Sequence, residues 1–139
     1  MKKSVLLNSD ISWVVSNMRH TDTLVIGDAG LPVPNHVMQI DLAVTKGIPD
    51  FMSVLKAVLT ELRVEKVTLA EEIKTKSPEL HKETIELIKK TEKEEGITIA
   101  IEYIPHEEFK EETAYSKAVV RTGEFTPYAN IILTSGVVF

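Results

Sequence analysis

Residues 97 to 103 read Ile-Thr-Ile-Ala-Ile-Glu-Tyr, so that Ile97, Ile99, Ile101 and Tyr103 alternate with Thr98, Ala100 and Glu102. A period of two places every apolar side chain on one face of an extended chain, a pattern that only a strand uses well. The segment before it follows a different period. Ser77 and Pro78 supply a cap and a proline at the first helical position, Leu80, Leu87 and Ile88 continue as a stripe, and Gly96 stops the helix. Lys89 to Glu95 read as the solvated face of that helix. A helix feeding a strand is half of a repeating unit, and the remaining segments supply the rest.

Asn8 or Ser9 can cap a first helix whose apolar residues Ile11, Val14, Val15 and Met18 fall at i, i+3, i+4 and i+7, with its end near Arg19 and His20. Thr23 to Ile26 is a β-branched, apolar run broken by Gly27-Asp28-Ala29-Gly30 and then by Pro32 and Pro34, the mark of a buried strand entering a rigid loop. A second strand is read at Gln39 to Val44. A helical stripe follows over Phe51, Leu55, Val58, Leu59 and Leu62, and a strand over Val64 to Ala70. A short helix over Glu107 to Glu112 points Phe109 inward. Lys117 to Thr122 and Asn130 to Ser135 close the chain as two strands around the loop 123–129.

Strands alternating with helices imply a layered α/β fold, a mixed β-sheet flanked by helices. No repeat, low-complexity tract or linker divides the 139 residues, and 43% apolar residues furnish one core, so residues 1–139 read as a single domain. A net charge of −5 with interleaved signs argues against a nucleic-acid partner. The absence of cysteine excludes disulfide frameworks and thiolate chemistry. The apolar run after Lys2 and Lys3 stops at Asn8, and no 18-residue apolar span follows, so the reading is a cytoplasmic protein with no membrane attachment.

No glycine-rich phosphate loop is present, since Gly27-Asp28-Ala29-Gly30 lacks both the spacing and the following helix that phosphate cradling needs. The histidines at 20, 36, 81 and 106 show no metal-binding pattern. The expectation is therefore no cofactor and no metal. At the end of the first helix, His20 meets the negative end of the helix dipole, which favours imidazolium and suits it to proton transfer, although position alone points more readily to a histidine that only bonds the last carbonyls of its helix. Asp28 follows a buried strand, so its carboxylate emerges where open α/β sheets form their ligand crevice, although an ordinary turn aspartate would look the same. His106, Tyr128 and Asn130 add imidazole, hydroxyl and amide groups suited to a polyol, although each taken separately reads more readily as a loop or capping residue. His36 and His81 are read as surface residues.

The segments His20-Thr21-Asp22, Asp28 to Pro34, Asp41 to Pro49, Ala70 to Ile73, His106 to Lys110 and above all Arg121 to Leu133 resemble the D-ribose pyranase family, in order and without gaps from residue 8 to 139. The L-fucose mutarotases resemble the chain more loosely. The resemblance implies a sugar-ring isomerase that interconverts the β-pyranose and β-furanose forms of D-ribose, with His20 as proton donor and Asp28, His106, Tyr128, Ala129 and Asn130 touching the sugar. It further implies a ring-shaped homo-oligomer, a decamer of stacked pentamers, with sugar sites near subunit contacts. The competing readings are a non-catalytic sugar-binding or ribose-transport accessory protein, and a mutarotase for another aldose such as L-fucose.

Overall fold

The structure is a computed structural model that describes residues 1–139. Six strands form one sheet: β1 (Thr23–Gly27), β2 (Met38–Asp41), β3 (Val64–Ala70), β4 (Ala100–Ile104), β5 (Ala118–Arg121) and β6 (Ile131–Ser135). Five helices accompany them: α1 (Ser9–Asn17), α2 (Phe51–Leu59), α3 (Ile73–Lys76), α4 (Pro78–Glu95) and α5 (His106–Glu112). The strand order is β2-β5-β1-β6-β3-β4. β2, β5 and β1 are parallel, β3 and β4 are parallel, and β6 runs antiparallel to both β1 and β3. The five other strands therefore all point the same way, and their carboxyl ends share one end of the sheet with the start of β6. This is the mixed sheet expected from the sequence.

The two faces of the sheet are covered unequally. Leu24 and Ile26 of β1 join a large core with Ile11 and Val14 of α1, Phe51, Leu55 and Val58 of α2, and Leu80 and Ile88 of α4. On the opposite face Val25, Val119 and Ile132 meet Phe109 of α5 and Leu31 and Val37 of the loop after β1. Phe109 is inward, as its position in the sequence implied, and fully buried.

Several boundaries depart from the sequence reading. α1 is capped by Asn8, whose Oδ1 accepts the Ile11 N–H at 2.8 Å, and it stops at Asn17 because Met18 is extended. His20 thus sits three residues past the helix, beyond the last turn to which the dipole's influence is confined. β2 ends at Asp41, and Val44 is 79% exposed, because β5 offers pairing only as far as Arg121. The alternating run 97–103 becomes a strand only from Ala100, where β3 begins to pair with it. Before that, Ile97 N–H bonds Glu92 O and Ile99 N–H donates to the Glu92 carboxylate at 2.7 Å, so the first residues close the end of α4. Pro78 does open α4, but the Ser77 hydroxyl makes no cap and instead donates to Pro127 O at 2.6 Å. α3 escaped the sequence reading: four residues are too few to show a helical period.

Candidate active site

β1 delivers Asp28 to the carboxyl end of the sheet, and β6 starts beside it with Asn130. The two side chains clamp each other. Asn130 Nδ2 donates to Asp28 Oδ2 at 3.0 Å while Asn130 Oδ1 accepts the Asp28 N–H at 2.9 Å. Asn130 is completely buried, and the second Asp28 oxygen accepts the Gly30 N–H at 2.9 Å. The clamp needs glycine at 27, where a Cβ would lie 2.6 Å from Leu31 Cδ2 and 3.1 Å from Asn130 Oδ1. One carboxylate oxygen each is thus anchored by a backbone amide and by a buried amide, which fixes its direction while leaving lone pairs available.

The loop between β5 and β6 is organised by Glu124. Its Oε2 accepts from Phe125 N, Thr126 N and Thr126 Oγ1 at 3.2, 3.3 and 3.0 Å, and its Oε1 accepts the Phe51 N–H at the start of α2. The loop then turns through Tyr128 at φ +62°, a left-handed conformation that costs a residue with a Cβ about 1–2 kcal/mol. Strain of this kind persists where surrounding contacts over-determine the turn, as the Asn130 N–H to Tyr128 O bond at 2.8 Å does here. The Tyr128 ring stands perpendicular to His106, centroids 5.0 Å apart.

His106 opens α5, and its backbone N–H donates to both oxygens of Glu72 at 3.0 and 3.2 Å. Its ring lies nearly parallel to Phe109, and its Nδ1 is buried without a hydrogen-bond partner. Further along the same end of the sheet, His81 is not the free surface residue the sequence suggested: it is half-buried and bonds Tyr103 Oη at 2.6 Å, with Lys74 Nζ 3.7 Å above the tyrosine ring. Burial, helped by Lys74, holds His81 below its ordinary value, and burial raises Tyr103. His36 is exposed, as read, with its Nε2 on Ala114 O at 2.9 Å.

An open cleft of about 390 Å³ runs beside Asp28, lined also by Ala29, Gly30, Arg121 and residues 124–127. Arg121 braces its wall through Nε to Ala29 O at 2.9 Å and through its ion pair with Asp41 at 3.0 Å. Asp28, His106, Tyr128, buried Ala129 and Asn130 therefore gather at one end of the sheet. His20 does not join them. β1 spans about 13 Å at 3.3 Å per residue; His20 precedes its first residue and Asp28 follows its last. At its own end His20 Nε2 meets Glu65 Oε2 at 2.9 Å. No three His, Asp or Glu side chains come together as a metal-binding cluster.

Glu65, Glu72, Glu124 and Ser77 were missed as site residues by the sequence reading. Glu72 and Glu124 do lie inside the segments that carry the family resemblance. Glu65 left a fainter trace: buried Val64 and Val67 are three residues apart, which breaks the period of two just there.

These features define a class: a small α/β protein with an open cleft at the carboxyl end of its sheet, walled by Asp28, Arg121 and the loop 124–127. The model of the RbsD / FucU transport protein family matches residues 1–138, and the chain belongs to that family. A D-ribose pyranase of Glaesserella parasuis is 55% identical over 139 residues, covering 100% of both chains, and one of Escherichia coli is 53% identical with the same coverage. Among solved structures, Bacillus subtilis RbsD complexed with D-ribose matches 100% of both chains at 46% identity with a TM-score of 0.91. FucU from Bifidobacterium longum matches 96% of this chain and 98% of its own at 26% identity with a TM-score of 0.75.

Proposed function

We propose that this chain is a D-ribose pyranase, a cytoplasmic, cofactor-free isomerase that interconverts the β-pyranose and β-furanose forms of the sugar, acting as one domain over residues 1–139. The observation that carries the reading is the gathering of Asp28, His106, Tyr128 and Asn130 around one end of the sheet, in a chain that is alike over its full length to a protein complexed with D-ribose. The placement of His20 at the other end supports an enzyme assembled from several copies. If His20 carries the proton, it serves the cleft of a second copy, and a head-to-tail contact of that kind forms a ring when its rotation closes. The ring-shaped decamer implied by the sequence resemblance is of that kind.

In the proposed reaction the His20 imidazolium gives its proton to the ring oxygen O5 while Asp28 of the neighbouring cleft takes the proton of the anomeric hydroxyl O1. The C1–O5 bond breaks and C1=O1 forms. After rotation about C1–C2, O4 adds to C1 and returns a proton to His20, and Asp28 returns its proton to O1, so the net proton count is zero. Tyr128, Asn130 and His106 hold the sugar or the Asp28 carboxylate in place. A spontaneous opening rate on the order of 10⁻³ s⁻¹ corresponds to a barrier of about 21 kcal/mol. General acid–base catalysis of about 10²- to 10⁴-fold brings turnover to about 0.1–10 s⁻¹.

The test is the exchange of D-ribose ring forms by magnetisation-transfer NMR, with wild type, His20→Ala, Asp28→Asn, and the two variants dissociated and reassembled together. Each variant alone is inactive. Random reassembly in a head-to-tail ring restores about one quarter of the sites, because each draws His20 and Asp28 from different copies. Binding of ribose without faster exchange by wild type would overturn the catalytic reading in favour of a sugar-binding accessory. Preferential exchange of L-fucose would overturn the choice of sugar. Activity of either variant alone, or none after mixing, would overturn the shared site.

A further inference from the structure

His20 and Glu65 are 45 residues apart in sequence, and three separate features bring them together. The first is a β-bulge. β3 pairs with β6 as Val64 to Ser135 and Lys66 to Thr134, so Glu65 is the extra residue, and its side chain is released from the regular alternation. The second is Gly136, which bonds Arg63 O through its N–H at 2.9 Å and lies against the Glu65 side chain. A Cβ at Gly136 would sit 3.2 Å from Glu65 Cβ and 3.5 Å from its Oε2. The third is the turn that presents His20: Thr21 is left-handed at φ +70°, its N–H donates to Ser135 O at 2.9 Å, and Asp22 Oδ2 accepts the Arg19 N–H at 2.8 Å.

Other charged groups nearby are already engaged. Arg63 turns to Glu95 at 2.6 Å, Lys66 to Glu102 at 3.1 Å, and Asp22 to Lys117 at 3.4 Å. Glu65 has His20 as its ion-pair partner, and the two side chains are 42% and 55% exposed. A pair so exposed adds little to stability, so its construction is better explained by what it does to the imidazole.

We propose that Glu65 is the positioning residue of His20: its carboxylate accepts the Nε2–H, which fixes the ring and leaves Nδ1 as the nitrogen that exchanges a proton with the sugar. The inference rests on the proposed role of His20 as proton carrier. A carboxylate that orients an imidazole in this way selects one tautomer and stabilises the imidazolium formed during turnover.

The experiment combines ¹⁵N NMR of the His20 ring, recorded above the imidazole titration range, with exchange kinetics of the assembled protein. In wild type the ring is held wholly as the Nε2–H tautomer; in Glu65→Ala the Nδ1–H form appears beside it, and kcat loses part of the about 10²- to 10⁴-fold that general acid–base catalysis supplies, at least about 10-fold, with KM changed less than about twofold. Glu65→Gln, whose amide oxygen still accepts the Nε2–H, keeps the tautomer and recovers most of the rate. Gly136→Val pushes Glu65 aside without altering either member and reproduces the Glu65→Ala pattern, which guards against a variant that fails to fold. Unchanged kcat in Glu65→Ala, or the same tautomer mixture in wild type and variant, overturns the positioning role. If wild type accelerates nothing, the proposed function fails instead, and the ring spectra still decide whether the pair sets the tautomer.

Discussion

Asn130→Asp changes one group in the clamp and almost no volume. Where Asn130 Nδ2 now donates to Asp28 Oδ2 at 3.0 Å, the variant puts a second carboxylate oxygen against the first, with residue 130 fully buried. Two unit charges at that separation repel by about 5–6 kcal/mol at an effective dielectric constant of about 20. A cheaper escape is to bind one proton between the two carboxyls. At pH 7, against an ordinary carboxyl value of about 4, this costs about 4 kcal/mol, since each unit of pH is worth about 1.4 kcal/mol. The smaller figure sets the penalty, and it shrinks to about 1.4 kcal/mol at pH 5. Once protonated, the new acid can donate to its neighbour and stand in for the lost amide N–H. Urea unfolding of wild type and variant at pH 5, 6 and 7 reads the difference directly, and ribose affinity should recover in parallel on acidification. A deficit that does not change across this range would refute the clamp as the source of the effect, because loss of packing or of the amide alone carries no such pH dependence.

Gly123→Ala should destabilise the fold by about 3 kcal/mol in urea unfolding. Its Cβ would fall 2.5 Å from Ile48 O and 2.6 Å from Thr45 O, backbone atoms of the loop that bonds Gly123 through Gly47 N–H and Pro49 O; an unchanged midpoint would contradict that contact. His81→Gln should flatten the acid side of the stability profile. Burial first, and Lys74 second, hold folded His81 below its ordinary 6.5, so the unfolded chain binds the extra proton and stability is lost as pH falls below 6.5. Wild type should therefore lose more stability than the variant between pH 6.5 and 5, and equal losses would show that His81 is not responsible.

Much of this protein is legible along the chain because its elements announce themselves by local period. The strand at 23–27, the stripe of α2 and the proline-to-glycine span of α4 depend on neighbours a few residues away. Of the groups that line the cleft, Asp28 was singled out in the sequence, whereas Arg121 and Glu124 beside it were not. Where the reading slipped, a distant partner had intervened: β4 starts late because its first residues are taken by Glu92, and β2 stops when β5 stops. The end of α1 shows the same limit on a smaller scale, since Met18 continues the apolar stripe yet leaves the helix, and His20 with it.

The sequence by itself determined the alternation of helices and strands and the buried faces, since hydrophobic period and turn chemistry act over a handful of residues. Only the tertiary structure decided the direction of each strand, and with it the fact that His20 and Asp28, eight residues apart, stand at opposite ends of the sheet. It alone joined Asp28 to Asn130 across 102 residues and His20 to Glu65 across 45. The physical reason is that strand pairing and bulges are selected by the whole core at once. No single segment contains the information about which end its neighbour will reach.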